Sequence, residues 1–147
     1  MKAKISPPLL YKWFIGLMLS TIFLPVSRQI KFPYNLVGAL IFIAGAYIAI
    51  HTKKMFRKPQ TPVSHRANPE KLHTGGIFRF TRNPMYLGIS IGLAGISIVT
   101  GIIANLFFPI LYIVIMDIFF VRDEEKLLDE KFGLIFRQYK KKTRRWL

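Results

Sequence analysis

The chain has no cysteine, which excludes disulfides, thiolate metal sites and a cysteine nucleophile within it. Acids are scarce, at 7 Asp and Glu against 22 Lys and Arg, and the formal net charge is +15. Histidines number three, and no cluster of metal-ligand spacing is present, so no metal is expected. Long polar stretches are few as well. Hydrophobic residues make up 52% of the chain and sit in long runs, the pattern of membrane helices rather than of a soluble core. A soluble protein this basic would suggest nucleic acid. Here apolar runs separate the basic blocks, so lipid headgroups and membrane orientation explain the charge better.

Four apolar runs are present, at about 8–26, 36–50, 84–103 and 106–121. The fold class expected is all-α: a polytopic membrane protein of about four transmembrane helices with a cytoplasmic amphipathic C-terminal helix. The first run is expected to be a retained helix, because Leu24-Pro-Val-Ser-Arg-Gln lacks a small-x-small cleavage pattern. His51 is expected to close the second run. Gly38, Gly45, Ala46 and Ala49 in the second run, and Gly88 and Gly92 with Gly95 one turn on in the third, each predict close helix packing; the second helix is expected beside the first, and the third and fourth as a closely packed hairpin. The chain length suits one domain, 1–147. It divides into two N-terminal spans (1–51), a basic cytoplasmic loop (52–82) broken by Pro59, Pro62 and Pro69, and a helical hairpin with the C-terminal segment (83–147). The Lys and Arg excess places both termini on the cytoplasmic side.

The chain is organised around 74–92, where a basic, glycine-bearing loop turns into an apolar run at Arg82-Asn83-Pro84. Pro84 suits a first helical turn, and Asn83 is expected to cap it through its side chain. The free N–H groups there, with Arg79 and Arg82 beside them, favour an anionic ligand group. In isolation such arginines only anchor a membrane helix. Five of the seven acids, Asp123, Glu124, Glu125, Asp129 and Glu130, fall within eight residues, and a sixth, Asp117, lies inside the fourth run. An ionisable residue at membrane depth is a functional candidate by default. On an uninterrupted helix Asp117, Val121, Glu124 and Leu128 share one face, with Glu125 beside it.

Two separated motifs carry a resemblance. One is Arg82-Asn-Pro-Met-Tyr86-Leu87-Gly88. The other is Glu124-Glu125, then Leu127 or Leu128, Phe132-Gly133, Phe136 in a tyrosine place, Tyr139 and Arg144-Arg145-Trp146. Together they resemble the integral-membrane methyltransferases of the isoprenylcysteine carboxyl methyltransferase type, whose relatives include phospholipid N-methyltransferases. The resemblance covers the chain from about Thr74 onward. It implies S-adenosyl-L-methionine as cofactor, with Arg82, Asn83, Pro84, Tyr86, Leu87, Gly88, Arg122, Glu124, Glu125, Phe132 and Tyr139 as binding candidates. Arg82, Pro84 and Arg122 would meet its carboxylate, Glu124 or Glu125 its ammonium and ribose hydroxyls, and Tyr86, Phe132, Phe136 or Tyr139 its adenine. Glu125, Asp117 and Arg82 are the candidates for catalysis, and Asp117, Glu125 or His51 would serve an acceptor that must lose a proton. The basic loop would act as a lid, and His65 and His73 are taken as loop residues.

Two departures matter. Arg-Asn-Pro stands where eukaryotic members have Arg-His-Pro, and only two spans precede the motifs. A bacterial or archaeal cell membrane is therefore expected, and a tunnel built by extra helices is not. The acceptor expected is a small lipophilic or membrane-embedded molecule, with membrane lipids as partners, no nucleic acid, and an oligomer possible. The competing readings are a phospholipid N-methyltransferase-like enzyme and a non-enzymatic basic membrane protein binding anionic lipids.

Overall fold

The computed structural model describes residues 7–56 and 71–147. Every regular element among them is helical: α1 (Pro7–Ser20), α2 (Leu36–Phe56), α3 (Pro84–Thr100), α4 (Phe107–Met116), α5 (Arg122–Phe132) and α6 (Leu134–Lys142), with short 3₁₀ turns between some of them. A π turn, Asp117–Val121, joins α4 to α5, so Ile103–Phe132 forms one 30-residue helical rod. Among the described residues, this rod and α2 are the two helices long and apolar enough to cross a bilayer; α1 and α3 are shorter apolar helices. Most of the proline-rich loop, with Pro59, Pro62, Pro69 and His65, lies outside the described residues.

Several boundaries differ from expectation. α1 ends at Ser20, followed by a 3₁₀ turn, well before Val26. α2 runs one and a half turns past His51 to Phe56; nothing at 51–56 breaks a helix, and the ring of His51 stacks on Tyr47, one turn back. α5 and α6 are two helices rather than one, because Gly133 takes a positive φ of 48° and turns the chain between them.

α3 is the central element. It packs along α2 and also touches α1 and α4. The α2–α3 seam is made of backbone. A Cβ on Gly38 would lie 2.6 Å from the Gly95 carbonyl, one on Gly45 2.6 Å from the Gly88 carbonyl, and one on Gly88 2.7 Å from the Ala49 nitrogen. The close packing expected at Gly88, Gly92 and Gly95 is present: the Gly92 nitrogen lies 2.4 Å from where a Gly45 Cβ would be, although a Cβ on Gly92 itself would meet only a Phe42 ring carbon, at 3.8 Å.

The other face of α3 contributes Tyr86 and Leu93 to a core with Phe14, Met18, Tyr112, Met116 and Val121. At the far end of α3, Gly101 takes a left-handed conformation. Its carbonyl accepts from the backbone N–H groups of Gln29 and Ile30. Asn105, buried in the next turn, donates to the hydroxyls of Thr21 and Thr100. The 21–35 and 101–105 links therefore meet at one end of the helices, and the mouth of α3 lies at the other.

Candidate functional site

α3 starts at Pro84, as the sequence predicts, but not by the expected cap. The Asn83 side chain makes no capping bond. Its amide donates instead to the Arg145 carbonyl at 3.0 Å, while the Thr81 hydroxyl accepts from the Asn83 N–H and donates to the same carbonyl. The C-terminal segment is thus stitched onto the α3 mouth, and the Arg82 N–H reaches the Arg144 carbonyl to complete the seam.

The Arg82 side chain points into this junction and is about nine-tenths buried. Its Nε and Nη2 donate to Glu125 Oε1 at 3.1 and 2.8 Å, and Nη1 donates to the carbonyls of Thr143 and Lys140. Arg145 grips the same carboxylate as a fork, Nε to Oε1 at 3.1 Å and Nη2 to Oε2 at 2.7 Å. Lys140 adds a third cation 3.7 Å from Oε2. The hydrogen bonds it donates to Glu125 hold the Arg145 guanidinium above the ordinary arginine range.

Arg145 also reaches Asp117, with Nη1 3.1 Å from Oδ1. Asp117 accepts in addition from Arg122 Nε and from the Trp146 indole N–H, each at 3.2 Å. Asp117 and Glu125 therefore share one arginine. This corrects the expectation that Asp117 and Glu124 lie on one face. An α-helix turns about 100° per residue, which aligns positions seven apart. The π turn takes in an extra residue and sets the chain after it back by about 100°, so position 125 comes under position 117 instead. Glu124 is turned aside, where it accepts from the Tyr86 hydroxyl at 2.8 Å.

Against this junction lies an open groove of about 560 Å³, lined by Arg82, Asp117, Arg122, Arg145 and Trp146 with Ile113, Val114 and Ile118. Charged residues form its basic end, and the apolar residues come from α4 and the π turn. Of the expected aromatic wall, Tyr86 belongs to the helical core. Tyr139 packs with Phe78 and Phe136 against Phe132 and donates its hydroxyl to the Phe78 carbonyl at 2.6 Å. Pro84, Leu87 and Gly88 are buried along α3. The aromatic side chain on the groove is Trp146. His73 stacks on Phe78, and burial together with Lys71 lowers its pKa.

The structure brings together Arg82, Asn83 and Glu125 from the two motifs with Asp117 from the fourth run, and Arg122 joins them through Asp117. Thr81, Lys140, Arg145 and Trp146 were not singled out individually. Their signal was the basic-aromatic tail, which does not say which of its many cations turns inward.

A family model described as phospholipid methyltransferase matches residues 33–134, and the chain belongs to that family. It is accordingly a methyltransferase of membranes, in a family whose usual methyl donor is S-adenosylmethionine. No curated protein and no solved structure matches the chain.

Proposed function

We propose that the chain is an S-adenosylmethionine-dependent methyltransferase whose cofactor lies at the α3 mouth and whose acceptor is a small lipophilic or membrane-embedded molecule. The observation that carries this reading is the convergence of Arg82, Arg145 and Glu125 beside a groove whose lining also includes Ile113, Val114 and Ile118. A zwitterionic amino-acid group needs a cation and an anion within one site, and this junction offers both. Trp146 supplies an aromatic surface on the groove, so it replaces Tyr86 as the candidate neighbour of the adenine or the sulfonium. S-adenosylmethionine, when bound, supplies an electrophilic methyl group.

The work left to the chain is positioning: holding two reactants in line and keeping water out. Arg82 and Glu125 orient the charged end. The aliphatic wall of Ile113, Val114 and Ile118 suits an acceptor arriving from the bilayer. Four membrane crossings by α1 to α4 fit the antiparallel run of these helices. The basic segments then lie on the cytoplasmic face with both termini, in a bacterial or archaeal cell membrane.

A phospholipid amine as acceptor is the second reading. The description of the matching family model, phospholipid methyltransferase, favours it.

The test is calorimetry with S-adenosylhomocysteine on purified protein, beside Arg82→Ala and Glu125→Gln variants checked for folding by thermal unfolding. Loss of binding in both is expected, and unchanged affinity in both removes the reading. Transfer of labelled methyl groups to phosphatidylethanolamine, fatty acids and prenylated thiols then sorts the acceptors.

A further inference from the structure

The two arginines on Glu125 are held very differently. Arg82 is buried, with a side-chain exposure of 10%, and its remaining donors are spent on carbonyls of the C-terminal segment. Arg145 is 32% exposed, lines the groove, and divides its guanidinium between two carboxylates. Releasing Arg82 from Glu125 would strand a cation already enclosed. Releasing Arg145 strands nothing, because Asp117 still holds its Nη1 edge.

Resting on the cofactor reading above, we propose that Arg145 is an exchangeable internal counter-ion. It occupies Glu125 while the site is empty, and yields that carboxylate to the ammonium group of the ligand by turning onto Asp117. The exchange conserves charge. One cation leaves Glu125 as another arrives, and the ligand's carboxylate is left to other donors at the α3 mouth. Asp117 is then a positioning residue rather than a catalytic one: it keeps the displaced arginine paired in a region where an unpaired charge is costly. The Trp146 indole, bonded to the same Asp117, moves with the exchange and couples the last residues of the chain to occupancy.

The proposal predicts an inverse pair of effects. Removing Arg145 takes away the competitor for Glu125, so Arg145→Gln binds S-adenosylhomocysteine about fivefold more tightly, the scale of one partly exposed ion pair. Removing the alternative partner confines Arg145 to Glu125, so Asp117→Asn binds it more weakly by a similar factor. The two residues act through one another, so the double variant behaves as Arg145→Gln alone.

The experiment is calorimetry of full-length protein in detergent with two probes, S-adenosylhomocysteine and 5′-methylthioadenosine, which lacks the amino-acid end. Affinity for the second probe should be equal in all four proteins. Arg145→Lys, which keeps the charge but loses the fork, should fall between wild type and Arg145→Gln, and serves if Arg145→Gln does not fold. Weaker S-adenosylhomocysteine binding by Arg145→Gln makes Arg145 an ordinary ligand contact and overturns the exchange. Unchanged affinity, or equal effects on both probes, overturns it as well. A wild-type protein that binds neither nucleoside refutes the cofactor reading itself, an outcome distinct from these.

Discussion

α3 is held in two contrasting ways. Along its length it meets α2 through bare backbone, Gly88 and Gly95 against Gly38 and Gly45. At its mouth it meets the C-terminal segment through ion pairs and side-chain-to-carbonyl bonds. The seam gains from dispersion and close approach, has no alternative arrangement, and is indifferent to salt. The clasp is built of groups that each have a second partner, and so it can be rearranged. A rigid rod held by an exchangeable clasp places the adjustable chemistry at one end of a fixed scaffold.

The contrast is broken most severely at the seam. Gly95→Val, or Gly45→Leu, drives a side chain into backbone that cannot give way, and a loss of at least about 3 kcal/mol is expected. Thermal unfolding and folded yield in detergent measure it, with Gly92→Ala, whose methyl would meet the Phe42 ring at an ordinary contact distance of 3.8 Å, as a near-neutral control. If Gly92→Ala is as damaging as Gly95→Val, the backbone seam is wrong.

At the clasp, Arg82→Ala removes the most enclosed cation from Glu125 but leaves Arg145 and Lys140 on it, and about 1–3 kcal/mol is expected. Added salt should lower the wild-type midpoint through the partly exposed Arg145 and Lys140 pairs and leave the seam variants' deficit unchanged. A deficit in the seam variants that tracks salt would merge the two regions into one.

The opposite end of α3 offers a neutral comparison. Asn105→Ala removes a buried donor to two hydroxyls and should cost about 1–3 kcal/mol, with no salt dependence and no change in nucleoside affinity.

The smallest effect concerns alkaline pH. Burial pushes the Tyr139 phenol up to about 12 from 10.0. The folded state then holds its proton where the unfolded chain has lost it. The contribution is full below pH 10 and falls away as pH rises toward 12. Tyr139→Phe should flatten that stretch of the stability–pH curve and cost about 1 kcal/mol at neutral pH through the lost bond to Phe78.

Much of this was legible from residue order. Apolar runs must form helices in lipid, proline at a first turn starts one, and repeated glycines on one helix bring a neighbour close. Helix starts at Leu36 and Pro84 and the close approach of glycine-bearing helices follow from such local rules, whereas the pairing of α2 with α3 rather than with α1 does not. The motif residues Arg82, Asn83 and Glu125 were legible as a group. Their partners were not, because partner choice depends on the path of a segment some sixty positions away.

What residue order alone determined is therefore the helical class, the concentration of acids after the fourth apolar run, and the site's membership in a methyltransferase pattern. These depend on side-chain chemistry and short-range periodicity. Only the tertiary structure decided that Glu125, and not Glu124, turns toward Asp117, and that Arg145 among many basic tail residues is the one between them. The first depends on one extra residue accommodated in a π turn, and the second on where Gly133 redirects the chain. Both are small rotations that sequence spacing does not specify and packing does.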